Sequence, residues 1–133
     1  MTTFYMAHPF SSRKDMRVWE LHLEAHKGMD IVNPFYDLDR DDIEAVDGGF
    51  RPMYKEDATL VVERDKAAIR DCDAVIALVD GSLSYGTIME IAYAYDMGTP
   101  VHLICTNGRQ DHYWLKYHSD KIYLSLQEFE DSL

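Results

Sequence analysis

Asp73-Ala74-Val75-Ile76-Ala77-Leu78-Val79-Asp80 runs directly into Gly81-Ser82-Leu83-Ser84-Tyr85-Gly86-Thr87-Ile88-Met89-Glu90, and the fold is decided there. The first part is the most continuous apolar run in the chain. A strand buried on both faces reads this way, and such strands belong to parallel sheets covered by helices. The second part carries two glycines and then a helical pattern over Thr87–Met97, stopped by Gly98 with Pro100 just beyond.

Working outward, Thr3-Phe4-Tyr5-Met6-Ala7 is a β-prone run that stops at His8-Pro9, where proline removes a ladder donor. From Ser12 onward Met16, Trp19, Leu23 and His26 recur at helical spacing, with Gly28 as the stop. Asp30-Ile31-Val32-Asn33 is a second strand ended by Pro34. Residues 34 to about 57 show no clean period and suggest a functional loop, and residues 58–71 are again helical. Val101-His102-Leu103-Ile104-Cys105 and Lys121-Ile122-Tyr123-Leu124 supply two further strands, the last followed by a short terminal helix.

Strands alternating with helices predict an α/β chain of flavodoxin-like (Rossmann-like) three-layer form, with a five-stranded parallel sheet in the order 2-1-3-4-5. Residues 1–133 are expected to form a single domain, a length that encloses one continuous core. Ligands of open α/β sheets bind where the strand order reverses, beyond the carboxyl ends of the strands. That rule points to His8, Pro9, Phe10, Asp80 and the turn from Gly81 to Thr87.

Charge and motif content narrow the chemistry. A formal net charge of -11 repels a nucleic-acid backbone or an anionic bilayer and favours a neutral or singly phosphorylated ligand. No window approaches a membrane span, and a cytoplasmic address with free, buried Cys72 and Cys105 is expected. Neither GxGxxG nor GxxxxGK[ST] is present. His22-Leu23-Glu24-Ala25-His26 misplaces the glutamate of a zincin motif, and Asp37-x-Asp39-x-Asp41 lacks the glycine and glutamate of a calcium loop. No metal and no organic cofactor are expected.

Among the candidate chemical groups, Gly86 lets the backbone approach a ligand, while Thr87-x-x-Glu90 reads either as a capping box or as a reactive carboxylate in a first helical turn. Asp65 shares a helical stripe with Val62, Ile69 and Cys72, where a carboxylate needs a partner or a pocket. Ser11, Ser12 and Arg13 could hold a 5′-phosphate, or could be a cap and a solvated charge. The aromatic pair Phe35-Tyr36 could line the site or fill the core.

Tyr5-Met6-Ala7-His8-Pro9-Phe10 resembles the Tyr-Leu-Ala-(Gly/Ser)-Pro-Phe opening of nucleoside 2-deoxyribosyltransferases. Glu63-Arg64-Asp65-Lys66-Ala67-Ala68-Ile69 is similar to that family's Asn-Asp-Leu-x-x-Ile helix, and Asp73–Ala77 to its central strand. Gly86-Thr87-x-x-Glu90-Ile91-Ala92-Tyr93-Ala94 resembles its nucleophile-bearing helix, and Gly98-x-Pro100-Val101 a later segment.

The resemblance implies that Glu90 is the nucleophile, that Tyr5 orients it and that Asp65 handles the proton of the departing base. A covalent glycosyl-Glu90 would then pass 2-deoxyribose to a second nucleobase with retention. The implied partners are a nucleoside or nucleotide and a free base, with a homo-oligomer sharing its active sites. Tyr113-Trp114-Leu115 could reach the neighbouring copy. Ser84 stands where the family commonly has a base-contacting aspartate, and the neighbour's asparagine has no clear counterpart, His112 and Asn107 lying nearest. An N-glycosidase acting on a nucleoside 5′-monophosphate is the alternative, and a non-catalytic nucleotide-binding module a third reading.

Overall fold

The computed structural model describes residues 2–38 and 55–133. Most of the expected functional loop over residues 34–57 lies outside them. The described chain runs β1 (Thr3–Ala7), α1 (Arg13–Lys27), β2 (Asp30–Val32), α2 (Lys55–Asp71), β3 (Ala74–Val79), α3 (Tyr85–Asp96), β4 (Val101–Cys105), α4 (Tyr113–Tyr117), β5 (Lys121–Tyr123) and α5 (Leu126–Asp131). A turn of 3-10 helix at Phe10–Ser12 leads into α1.

The five strands form one sheet in the order β2-β1-β3-β4-β5, and every pairing is parallel. This is the flavodoxin-like α/β architecture, with helices on both faces. β1 pairs Phe4 with Ala74 and Ala7 with Ala77, so β1 stops beside Ala77 while β3 runs on to Val79 at the strand-order reversal.

The period of two along each strand divides the core. Tyr5, Ala7, Val75, Ala77, Leu103 and Cys105 pack with Ile69 of α2 and with Ile91 and Ala94 of α3. Met6, Ile76, Leu78 and Ile104 turn the other way, against Met16, Trp19 and Leu23 of α1 and Phe129 of α5. Each fully buried aliphatic side chain contributes about 1.5–3 kcal/mol relative to its exposed state. For function the consequence is directional: Tyr5 faces α2 and α3, whereas its neighbours on β1 face α1.

Two boundaries and one short helix differ from the sequence reading. Helix α2 begins at Lys55 rather than at residue 58. Helix α4 is five residues long, too short to show a period, and is capped by the His112 ring accepting from Trp114 N. Helix α3 begins at Tyr85 because Ser84, not Thr87, is its N-cap. The Ser84 hydroxyl accepts from Thr87 N at 3.3 Å and lies 2.7 Å from the Thr87 hydroxyl. The Ser84 hydroxyl thus takes the Thr87 N–H that a Thr87–Glu90 capping box would assign to the Glu90 carboxylate.

Candidate active site

The shift of the helix start changes what Glu90 is free to do. With Ser84 as cap, Glu90 sits in the second turn of α3, beyond reach of the N-terminal N–H groups that a capping glutamate would bind. Its carboxylate instead accepts a hydrogen bond from the hydroxyl of Tyr5, a side chain with no exposed surface. A tyrosine on an interior strand and a glutamate on the helix that follows β3 thus meet across 85 residues of sequence. A Cβ at Gly86 would lie 3.9 Å from Glu90 Oε1, so glycine one turn earlier keeps the carboxylate uncrowded.

A cavity of about 310 Å³ opens beside this pair, between α2 and α3. Its lining includes Glu90 and Asp65, apolar Val62, Ile69 and Met89, and Lys66. The volume is at the lower end for small-molecule pockets. Asp65 is half-buried, and its stripe is core-facing only in part: Ile69 is 0% exposed, but Val62 is 46% exposed. At 17 residues α2 is about 25 Å long. The six-residue β3 beneath it covers about 20 Å. The excess of about 5 Å falls at the N-terminal end of α2, whereas Asp65, Lys66 and Ile69 lie in its C-terminal half, on the side that borders the cavity.

A second hollow of about 320 Å³ adjoins the first, lined by Pro9, Ser82, Leu83, Ser84, Tyr85 and Met89 among others. Next to Val79 and Ser82 of its lining, Asp80 accepts at Oδ2 from the Ser12 hydroxyl, which does not cap α1, and at Oδ1 from Ser82 N at 3.0 Å. Burial pushes the Asp80 carboxyl up, but the bonds from Ser12 and Ser82 outweigh it and hold the group below its ordinary value. Asp80 is thus an ionised carboxylate at neutral pH. Gly81 follows at φ +95°, a conformation open to glycine, as the chain turns from β3 toward α3.

The remaining sequence candidates are engaged elsewhere. Arg13 lays its guanidinium 3.8 Å from the centroid of Phe10 and donates to the Phe10 carbonyl at 3.0 Å. His8 is 2% exposed, with Nε2 3.0 Å from Asn33 Oδ1 and Nδ1 3.1 Å from the Pro9 carbonyl. Thr87 is buried beneath its own helix start. Glu90, Tyr5 and Asp65 are brought to one place, with Gly86 in the same cavity lining; Pro9, Ser84 and Thr87 border the adjoining hollow, and His8, Phe10 and Arg13 do not line it.

Lys66 and Tyr93 are cavity residues that the sequence reading passed over. The ammonium of Lys66 stands 4.9 Å from the centroid of the Tyr93 ring, whose hydroxyl accepts from Arg70 Nη1 at 2.9 Å. Both residues lie inside the quoted family-like segments, so the signal was present, but a lysine on a surface helix reads first as a solvated charge. Among the described residues no group of His, Cys, Asp and Glu could hold a metal ion, and no helix is long and apolar enough to cross a membrane. Cys72 and Cys105 are free and buried, the Cys72 thiol pushed up to about 11 by burial and then by Asp30, Asp71 and Asp73.

Comparison with solved structures returns the same architecture. The chain is similar to a 2-deoxyribosyltransferase of Bacillus psychrosaccharolyticus at 18% identity and a TM-score of 0.72, over 97% of this chain and 90% of that one. It is similar to a conserved protein of Enterococcus faecalis at 22% identity and a TM-score of 0.63, over 100% and 99%. It also resembles a CMP N-glycosidase of Clostridium botulinum at 22% identity and a TM-score of 0.58, over 98% and 95%. No curated protein matches in sequence. The family model for nucleoside 2-deoxyribosyltransferases, however, matches residues 4–126, nearly the whole chain, and this protein belongs to that family.

Proposed function

We propose that this protein moves a 2-deoxyribosyl group between nucleobases through a covalent glycosyl-Glu90 intermediate. The observation that carries the reading is the Glu90 carboxylate, freed from helix capping and held by the buried Tyr5 hydroxyl at the mouth of a cavity that also contains Asp65. Tyr5 holds one carboxylate oxygen, and Glu90 lines the cavity. In the first step the C1′–N bond breaks with its electron pair passing to the base, and a C1′–O bond forms to Glu90. Asp65 relays the proton that the departing base takes up. An incoming base reverses these events, so no further reactant is needed.

A nucleoside suits the site better than its 5′-monophosphate. The start of α1, where a phosphate would find backbone N–H groups, is shared by Ser12 with the ionised Asp80. Arg13 is spent on Phe10. A phosphate placed there would meet a carboxylate and no disengaged arginine, while a sugar 5′-hydroxyl can donate to Asp80.

A neighbouring copy completes the site on this reading. Trp114 and Tyr113 are 70% and 85% exposed, and Leu83, Tyr85 and Met89 beside the hollow are also exposed. Apolar surface concentrated at the mouth of a site is suited to burial against a second copy. Sedimentation velocity should return an assembly larger than the 15.4 kDa chain; a monomer at micromolar concentration removes this part of the reading.

The chemical test is base exchange. Thymidine incubated with hypoxanthine should yield 2′-deoxyinosine by chromatography, and Glu90→Gln should lower the rate about a thousandfold or more. Free thymine without exchange would mean transfer to water. Exchange that survives Glu90→Gln would remove the nucleophile assignment.

A further inference from the structure

We infer that Lys66 selects the leaving base, favouring bases that turn a carbonyl toward α2, such as 6-oxopurines, over aminopurines. The inference rests on the glycosyl-transfer reading above and deepens it. Its starting point is an electrostatic difficulty in the cavity. The base departs with the electron pair of the C1′–N bond, and the slot that receives it is lined by two carboxylates, Glu90 and Asp65. A chain of net charge -11 adds to that repulsion on average.

Lys66 is the cation that lines the same cavity. It is half-buried rather than extended into solvent. Its ammonium is parked 4.9 Å from the Tyr93 ring centroid, and Arg70 fixes that ring through its hydroxyl at 2.9 Å. The apolar walls from Val62, Ile69 and Met89 suit the faces of a planar heterocycle. One edge of such a ring meets Asp65 and Glu90, and another meets Lys66.

An ammonium has three donors and no acceptor, so it pairs with a carbonyl oxygen and cannot pair with an exocyclic amino group. As the glycosidic bond breaks, negative charge spreads from the ring nitrogen onto that carbonyl. The contact strengthens between ground state and transition state, which places its effect in kcat more than in KM.

2′-Deoxyinosine and 2′-deoxyadenosine test this directly, because their bases differ only along one edge, in a carbonyl against an amino group and in the proton on the adjoining N1. Wild-type protein should show the higher kcat/KM for deoxyinosine as sugar donor. Lys66→Met should lower the deoxyinosine-to-deoxyadenosine ratio at least tenfold, carried by kcat, and Lys66→Arg should keep most of it. Thermal melting monitors folding of both variants. A wild type without the preference, or a ratio unchanged within twofold in Lys66→Met, overturns the inference while leaving the Glu90 chemistry standing. Should wild-type protein turn over neither donor, the glycosyl-transfer reading fails, and calorimetry with the free bases decides Lys66 alone. Weaker hypoxanthine binding confined to Lys66→Met then sustains it, and equal binding by the two proteins sinks it.

Discussion

Two inward-facing carboxylates, Glu90 on one side of the sheet and Glu20 on the other, show how the same chemical group is put to opposite uses. Glu20 of α1 has no exposed surface, and its surroundings are closed. It accepts from Asn33 Nδ2 at 2.9 Å and from Arg17 Nη1 at 2.8 Å, while Asn33 Oδ1 serves His8 and the Phe35 N–H. Glu90 is half-buried, is held by Tyr5 and borders a cavity. A buried charge with its lone pairs filled stabilises and orders its region. A carboxylate held by a buried hydroxyl at the border of a cavity can meet a ligand there.

The largest test of the contrast is Glu90→Gln. Glutamine still offers an oxygen to Tyr5, so the free energy of unfolding should move by less than about 1 kcal/mol while exchange falls about a thousandfold. Urea denaturation beside the exchange assay measures both. A large loss of stability would put Glu90 in the same class as Glu20 and break the distinction.

Asn33→Ala is the converse change and should act on folding. It strips a hydrogen bond from buried Glu20 and another from His8, and an unfolding free energy lower by about 2 kcal/mol is expected. The urea midpoint reads this out, and exchange by the molecules that remain folded should persist. A stable but inactive variant would show that the closed network belongs to the chemistry after all.

Glu24 gives the smallest and most specific effect. Burial, then the charge of Glu20 and a shared hydrogen bond with it, then Asp37, raise its carboxyl to about 7, against a partial offset from Arg17. A folded-state value above the unfolded one favours the protonated form in the fold. The associated stability is present below about 4.5, where the unfolded group also holds its proton, and is lost as pH rises through about 7. Glu24→Gln imitates the protonated form, so the variant should gain on wild type as pH goes from 5 to 8. Urea midpoints at the two pH values suffice, and parallel shifts would show that Glu24 does not titrate in this range.

The layered fold was readable because burial repeats with the geometry of each element. The run from Ala74 to Val79 announces a strand covered on both faces, and Met16, Trp19 and Leu23 announce the helix that covers one of them. The candidate site was half readable. Tyr5, Asp65 and Glu90 emerged from motif order and from the reversal of strand order, whereas Lys66 and Tyr93 passed as surface residues of their helices. The packing of α2 beside α3 gives Lys66 a cavity to line, and that is a fact about where two helices lie in space.

Sequence alone determined the order of elements, the parallel sheet and the family, since each rests on local periodicity or on the succession of short motifs. Tertiary structure alone decided which hydrogen bond each polar group makes. Glu90 could have capped its own helix, and Ser12 could have capped α1. Instead they bind Tyr5 and Asp80, which lie 85 and 68 residues away. A carboxylate or hydroxyl gains about the same from either kind of partner, roughly 1 kcal/mol, so local pattern cannot rank them. Only the packing that brings distant strands and helices to one edge makes the choice.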